Sequence, residues 1–375
     1  MNDALDRLRL IRTEGVGPLT YRRLMGRFGT VQQALDALPE LARAGGRAAT
    51  TITTRANVER EVAALTKLGG NFIFLDTPDY PEFLADMPDA PPALAVLGDV
   101  KLLTTRCVGV VGARNASANG MRMAEQLAAD LAEHKLTVVS GLARGIDAAA
   151  HKGAMSTGRT IAAIAGGIDC PYPPENEKLQ AQIAETGCVV TEAPLGTAPM
   201  AKHFPKRNRI IAGLSLGLVV IEAAVRSGSL LTARLGNEAG REIFAVPGSP
   251  LDPRCKGSND LIRQGAHLTE TAADVLANLP DHPARQGLAR DPLFLHAKSG
   301  LAERTPAWEA ASAAEIASGR QKIPVLIGPD PVAVDEIARR CQLSTSAIMA
   351  VLLELELAAK VEILAGNRVV RIAAA

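Results

Sequence analysis

Six short apolar runs dominate the middle of the chain: VGVVGA, TVVSG, TIAAIAG, CVVTE, GLVVIEA and EIFAVPG. They begin near Val108, Thr137, Thr160, Cys188, Gly217 and Glu242, 23 to 29 residues apart, with helical patterns between them. None alternates apolar with polar, so each must be buried on both faces. That is the signature of parallel strands covered by helices on either side. Residues 105–280 therefore predict an α/β fold, an extended Rossmann-like, doubly wound and mostly parallel sheet. Several runs end in Gly, Ser or Glu. In such sheets the carboxyl ends of the strands form the binding crevice, so function is expected there.

The flanks read differently. LDRLRLIR, LTYRRLMGRFG and VQQALDALPEL carry apolar residues at helical spacing, with EGVGP as a tight turn between the first two. Residues 1–68 resemble a SAM or helix-hairpin-helix module. Its turn amides could meet a DNA backbone, or the helices could simply pack. The first 60 residues hold ten arginines against six acids, which makes this piece mildly basic. From Asn71 to Val100 there is one strand-like run, FIFL, and five prolines, so this stretch is expected to wrap over a surface. It opens the sheet domain, drawn as 69–280. Residues 281–322 show no sustained period and read as a linker. Residues 323–375 give helix, helix and a hairpin around Gly366-Asn367, a winged-helix pattern. Its second helix, Ser344 to Ala359, contains Glu354 and Glu356 but no lysine or arginine. Arg339, Arg340, Arg368 and Arg371 lie outside it. Reading a duplex requires cations on that helix, so packing or protein contact suits it better.

Composition narrows the function classes. Hydrophobic residues at 47% exclude disorder as the main state. Forty-one basic and 40 acidic residues exclude a nucleic-acid-coating polycation, although a local basic groove remains compatible. Five scattered cysteines without a CxxC pair argue against zinc and disulfides, and fit a reducing, cytoplasmic setting. The amino terminus lacks an apolar signal core, and the longest apolar stretch is broken by Ser215 and Glu222, so neither secretion nor membrane spanning is expected.

The chemistry-bearing segments follow the strands. After the first comes GARNAS, where Arg114 stands in place of the second glycine of a dinucleotide fingerprint. An arginine there favours an anion without favouring a dinucleotide. After the second, SGLARGIDAAAH offers Ser140, Gly141 and Arg144 at the start of a helix, where backbone amides suit phosphate. Asp147 and His151 are spaced i, i+4 and read as an acid–base pair or, more simply, a helix-stabilising contact. KHFPKRNR is the densest signal. Lys202, Lys206, Arg207 and Arg209 surround Phe204, with Asn208 beside them and no acid. Cations for phosphates and a ring face for a base are what a single strand needs. Ser227, Gly228 and Ser229 form another phosphate-type turn. Neither metal nor organic cofactor is expected.

GARNAS, SGLARGIDAAAH, KHFPKRNRIIAGLS, VVIEAAVRSGSLLTA and FAVPG, in that order, resemble the DNA-processing protein A family, also called Smf. The likeness is close over residues 71–280 and holds in outline for the flanks. It implies an extended Rossmann fold that binds single-stranded DNA and dimerises through that fold. It also implies a mediator that protects incoming single strands and loads the RecA recombinase in natural transformation. Carried over by motif, the DNA pocket uses Arg114, Ser140, Gly141, Lys202, Phe204, Arg207 and Asn208. The competing reading is an enzyme of the lysine-decarboxylase-like Rossmann group, which hydrolyses nucleoside monophosphates. That group needs a PGGxGTxxE turn. Here the comparable SGSLLTAR carries no carboxylate before Glu238, and Glu192 and Glu222 have no evident nucleophile to serve.

Overall fold

The computed structural model describes residues 2–46, 51–280, 311–364 and 367–372. The chain divides into two compact units, Arg60–Gln286 and the combination of Met1–Glu59 with Gly287–Ala375.

The first unit is built on nine strands: β1 (Asn71–Phe74), β2 (Ala93–Gly98), β3 (Cys107–Gly112), β4 (Thr137–Ser140), β5 (Thr160–Ala163), β6 (Cys188–Thr191), β7 (Gly217–Ile221), β8 (Glu242–Ala245) and β9 (His267–Leu268). Their order across the sheet is β1-β2-β6-β5-β4-β3-β7-β8-β9. The seven strands from β6 to β9 are parallel, while β1 and β2 run antiparallel at one edge. All six apolar runs became strands, and β4, β5, β6 and β7 are buried at every residue. One face packs on the helices His203–Leu214 and Gly228–Glu238 through Ile210, Ile211, Leu214 and Ala233. The other packs on Ala118–Glu133 and Ile146–Ala154 through Leu127, Leu131, Ile146 and Ala150. From β3 the chain adds strands outward as far as β6. It then crosses back to lay β7 on the other flank of β3. That reversal is the topological switch of a doubly wound sheet.

One stretch differs from expectation. In the proline-rich segment the FIFL run gives β1, as expected, but a second strand was not expected: β2 follows Pro91 and Pro92 directly and joins β1 to β6. Both prolines precede the strand, so its amides stay free to pair.

In the second unit the helices Asn2–Ile11, Pro18–Phe28 and Val31–Ala44 form as the periodicity requires, with Pro18 in the first turn and Thr30 capping the third. The winged helix comprises Val334–Cys341, Thr345–Leu357 and a three-stranded sheet. The strands are β10 (Val332–Ala333), β11 (Val361–Leu364) and β12 (Arg368–Arg371), in the order β10-β12-β11. Ser344 caps the second helix, and the hairpin residues 365–366 lie outside the described residues. The segment read as linker also lies outside them over 281–310. Its end, however, is the helix Ala313–Leu326, started by a Ser312/Glu315 capping box and packed on the winged-helix core through Ile316 and Ile323. Leu326 joins them at the end of the helix, and Gly319 and Pro324 interrupt the pattern between.

Candidate nucleic-acid interface

The carboxyl ends of β3, β4 and β5 open onto a cavity of about 250 Å³, lined among others by Arg114, Asn115, Gly141, Arg144, Ala165, Tyr172, Phe204 and Arg207. Its floor is set by β4. Ser140 donates its hydroxyl to the Val110 carbonyl at 2.6 Å, tying β4 to β3. Gly141 follows, and a Cβ there would fall on the Arg207 guanidinium, so only glycine leaves that side chain its place. Arg207 reaches this point from the helix His203–Leu214, is 5% exposed, and donates to the Ala163 carbonyl at 3.3 Å. The Asp147 carboxylate stands 3.9 Å away and accepts from the amides of Gly141 and Ala143 at 3.2 and 3.3 Å.

A buried guanidinium is costly unless compensated. Burial lowers the Arg207 pKa, and Asp147 opposes that. Burial likewise raises Asp147, against Arg207 and the two amides. Compensation is incomplete, because Arg207 Nε is buried without a hydrogen-bond partner among the described residues. A native orphan of this kind points to a missing acceptor. Above it, Phe204 has the Arg207 guanidinium carbon 6.0 Å from its ring centroid and that of Arg114 at 5.0 Å. Tyr172 meets the same ring edge-on at 5.8 Å. Arg114 and Tyr172 are exposed, so cationic and aromatic surfaces both face solvent here.

Five of the expected residues thus line one cavity: Arg114, Gly141, Arg144, Phe204 and Arg207. Arg144 is exposed and ion-paired with Glu175. The others stand elsewhere. Lys202 and Lys206 are exposed at the start of the helix His203–Leu214. Ser140 is internal. Asn208 donates to the Gly228 carbonyl at 3.4 Å, and Ser227 caps the helix Gly228–Glu238 with its hydroxyl 2.8 Å from that of Ser229. Arg209 turns away to Asp89 and Glu192. Asp147 and His151 go to different partners. His151 Nδ1 lies 2.7 Å from Thr160 Oγ1, and burial pulls its pKa down to about 3. It is therefore neutral at physiological pH and lacks the imidazolium proton that a general acid would give. Tyr172 was missed, although a tyrosine between prolines just past a strand end, in a chain with 3% aromatics, was a readable signal.

At the switch point the β7 end supplies Glu222, whose carboxylate accepts from the amide of Ser117 at 2.8 Å and from its hydroxyl. It lies against Gly120, in the first turn of the helix Ala118–Glu133. That helix start is where a dinucleotide-binding fold holds pyrophosphate. A carboxylate of the protein itself occupies it, and the open cavity is displaced toward β4 and β5.

A mostly parallel sheet with helices on both faces and a cavity at its strand ends beside the switch point places the protein in the doubly wound α/β class. The particular family is shown by comparison. Residues 71–280 match the family described as DNA recombination-mediator protein A, residues 1–64 a DprA-like N-terminal HHH domain, and residues 307–367 a DprA winged helix domain. Protein Smf of Synechocystis sp. is 33% identical over 370 residues, covering 92% of this chain and 93% of its own. The DNA processing protein DprA of Bacillus subtilis is 42% identical over 224 residues, 59% of this chain and 75% of that one. The X-ray structure of DprA from Streptococcus pneumoniae superposes with a TM-score of 0.58 at 40% identity, covering 61% of this chain and 80% of that one. DNA processing protein A of Helicobacter pylori, studied for its single-stranded DNA binding mode, gives 0.51 at 28% identity, covering 56% and 95%. The chain belongs to the DprA/Smf family.

Proposed function

We propose that this protein is a single-stranded DNA-binding recombination mediator whose strand-binding site is the cavity over β3, β4 and β5. The observation that carries this is Arg207, buried with an unpartnered Nε beneath Phe204, with Arg114 on the same ring. A phosphate oxygen supplies the acceptor that Nε lacks, and an unstacked base supplies a partner for the rings. A duplex keeps its bases inside and offers such a site only phosphates. The cavity lining contains no Asp or Glu, Asp147 beneath it is taken up by the Gly141 and Ala143 amides and Arg207, and His151 is buried against Thr160, which disfavours hydrolysis of nucleotides. Family membership supports the finer reading: protection of incoming single strands, loading of a RecA-type recombinase during natural transformation, and a cytoplasmic homodimer. Among the described residues no helix is long and apolar enough to cross a membrane.

The test is titration of labelled single and double strands at two salt concentrations. Single strands should bind more tightly at both, and equal affinity for the two forms would contradict a site built for an unstacked base.

A further inference from the structure

Two elements of the terminal unit resemble devices that read duplex DNA. One is the turn between the helices Asn2–Ile11 and Pro18–Phe28, the other the second helix of the winged helix, Thr345–Leu357. In a helix-turn-helix protein such a helix turns its outer face to the groove. Here most of that helix is covered, and only Thr345 at its start is exposed. Ile348, Val351, Leu352 and Leu355 join the winged-helix core, while Leu353 and Leu357 join the core of the N-terminal helices with Leu10, Leu24, Leu35 and Leu38. Ala350, Leu353, Glu354 and Leu357, spaced i, i+3, i+4 and i+7, are each at most 3% exposed.

The polar contacts fit this packing. Glu356 accepts from Arg23 at 3.2 Å with both side chains mostly buried, and Glu354 takes Arg320 through both oxygens at 2.8 and 2.9 Å. The backbones approach closely at two glycines. A Cβ at Gly45 would overlap the Glu354 carbonyl, and one at Gly15, in the turn itself, would sit 3.3 Å from the Leu357 carbonyl. The acids that disqualify this helix from phosphate contact are the groups that anchor it to protein.

We propose that the two ends of the chain are each other's binding partner. The N-terminal helices occupy the groove-facing side of the winged helix, the hairpin turn and the second helix cover one another, and neither takes duplex DNA. The terminal unit is then an intramolecular protein complex, independent of what the cavity of the other unit binds.

The test uses the full chain with a site-specific protease sequence inserted between residues 285 and 310 and an affinity tag at the amino terminus. After cleavage the winged-helix fragment should stay on the tagged portion through gel filtration, with or without excess short duplex. Separation of the fragments without DNA would overturn the proposal. So would release by duplex, because the helix would then prefer nucleic acid. Arg23→Glu should weaken retention roughly tenfold or more, and adding Glu356→Arg should restore it. Both variants keep the apolar core, so loss of folding can be checked separately by circular dichroism. If the double variant retains the fragment no better than Arg23→Glu, the pairing of the two ends is not the one described.

Discussion

Phe204 and Arg114 contribute to the same cavity by different physics, and measurement can separate them. Arg114→Ala removes an exposed cation, so single-strand affinity should fall for all sequences alike, with the salt dependence flattened by about 0.7 log unit per log unit of salt. Phe204→Ala should cost on the order of 1–3 kcal/mol with the salt slope nearly unchanged. Titration of both folded variants across a salt series checks this, and identical behaviour of the two would remove the stacking role. His151 gives a stability prediction. Its folded pKa of about 3 lies below the ordinary 6.5, so below pH 6.5 the unfolded chain takes up a proton that the folded one refuses. The stability it contributes is full above 6.5 and is lost as pH falls toward 3. Asp147, raised by burial, acts in the opposite sense. The comparison that isolates the histidine is therefore wild type against His151→Asn. The variant should lose less stability between pH 7 and 4 in denaturant titrations, and parallel curves would refute the assignment.

Elements buried on both faces were the most legible. From Cys107 to Ala245 every strand of the central sheet could be read, because such a strand must be apolar throughout. β2 was hidden by its own prolines and β9 by having two residues. The helix Ala313–Leu326 was hidden because Gly319 and Pro324 break the apolar pattern of Ile316, Ile323 and Leu326 on its buried side. The cavity was half legible. Charge and aromatic content disclosed Arg114, Phe204 and Arg207, whereas the inward turn of Ser140 to Val110 and the engagement of Asn208 with Gly228 depend on how distant segments converge, which spacing along a chain does not encode. Deleting residues 324–375 should leave single-strand affinity largely intact, since every cavity residue belongs to the Arg60–Gln286 unit. The same deletion strips Leu353 and Leu357 from the core holding Leu10, Leu35 and Leu38. Reduced solubility and lost helical ellipticity should therefore accompany intact anisotropy binding curves. A loss of most of the affinity in a protein whose sheet unit is still folded would show that the module is part of the DNA site.

At the scale of the whole molecule, the proposed homodimer predicts a light-scattering mass of two chains at micromolar concentration, falling on dilution. A single-chain mass up to high micromolar concentration would refute it. Arg23 and Glu356 are 333 positions apart, yet they sit in one core, and the sheet unit is made entirely between them. This fixes an order of events on the ribosome. The first helices emerge without the Leu353 and Leu357 that complete their core, and at ordinary translation rates these follow on the order of tens of seconds later. The sheet unit can close as soon as its own last strand is out. The nascent chain thus carries a finished sheet unit behind an amino terminus whose core still waits for its last two leucines.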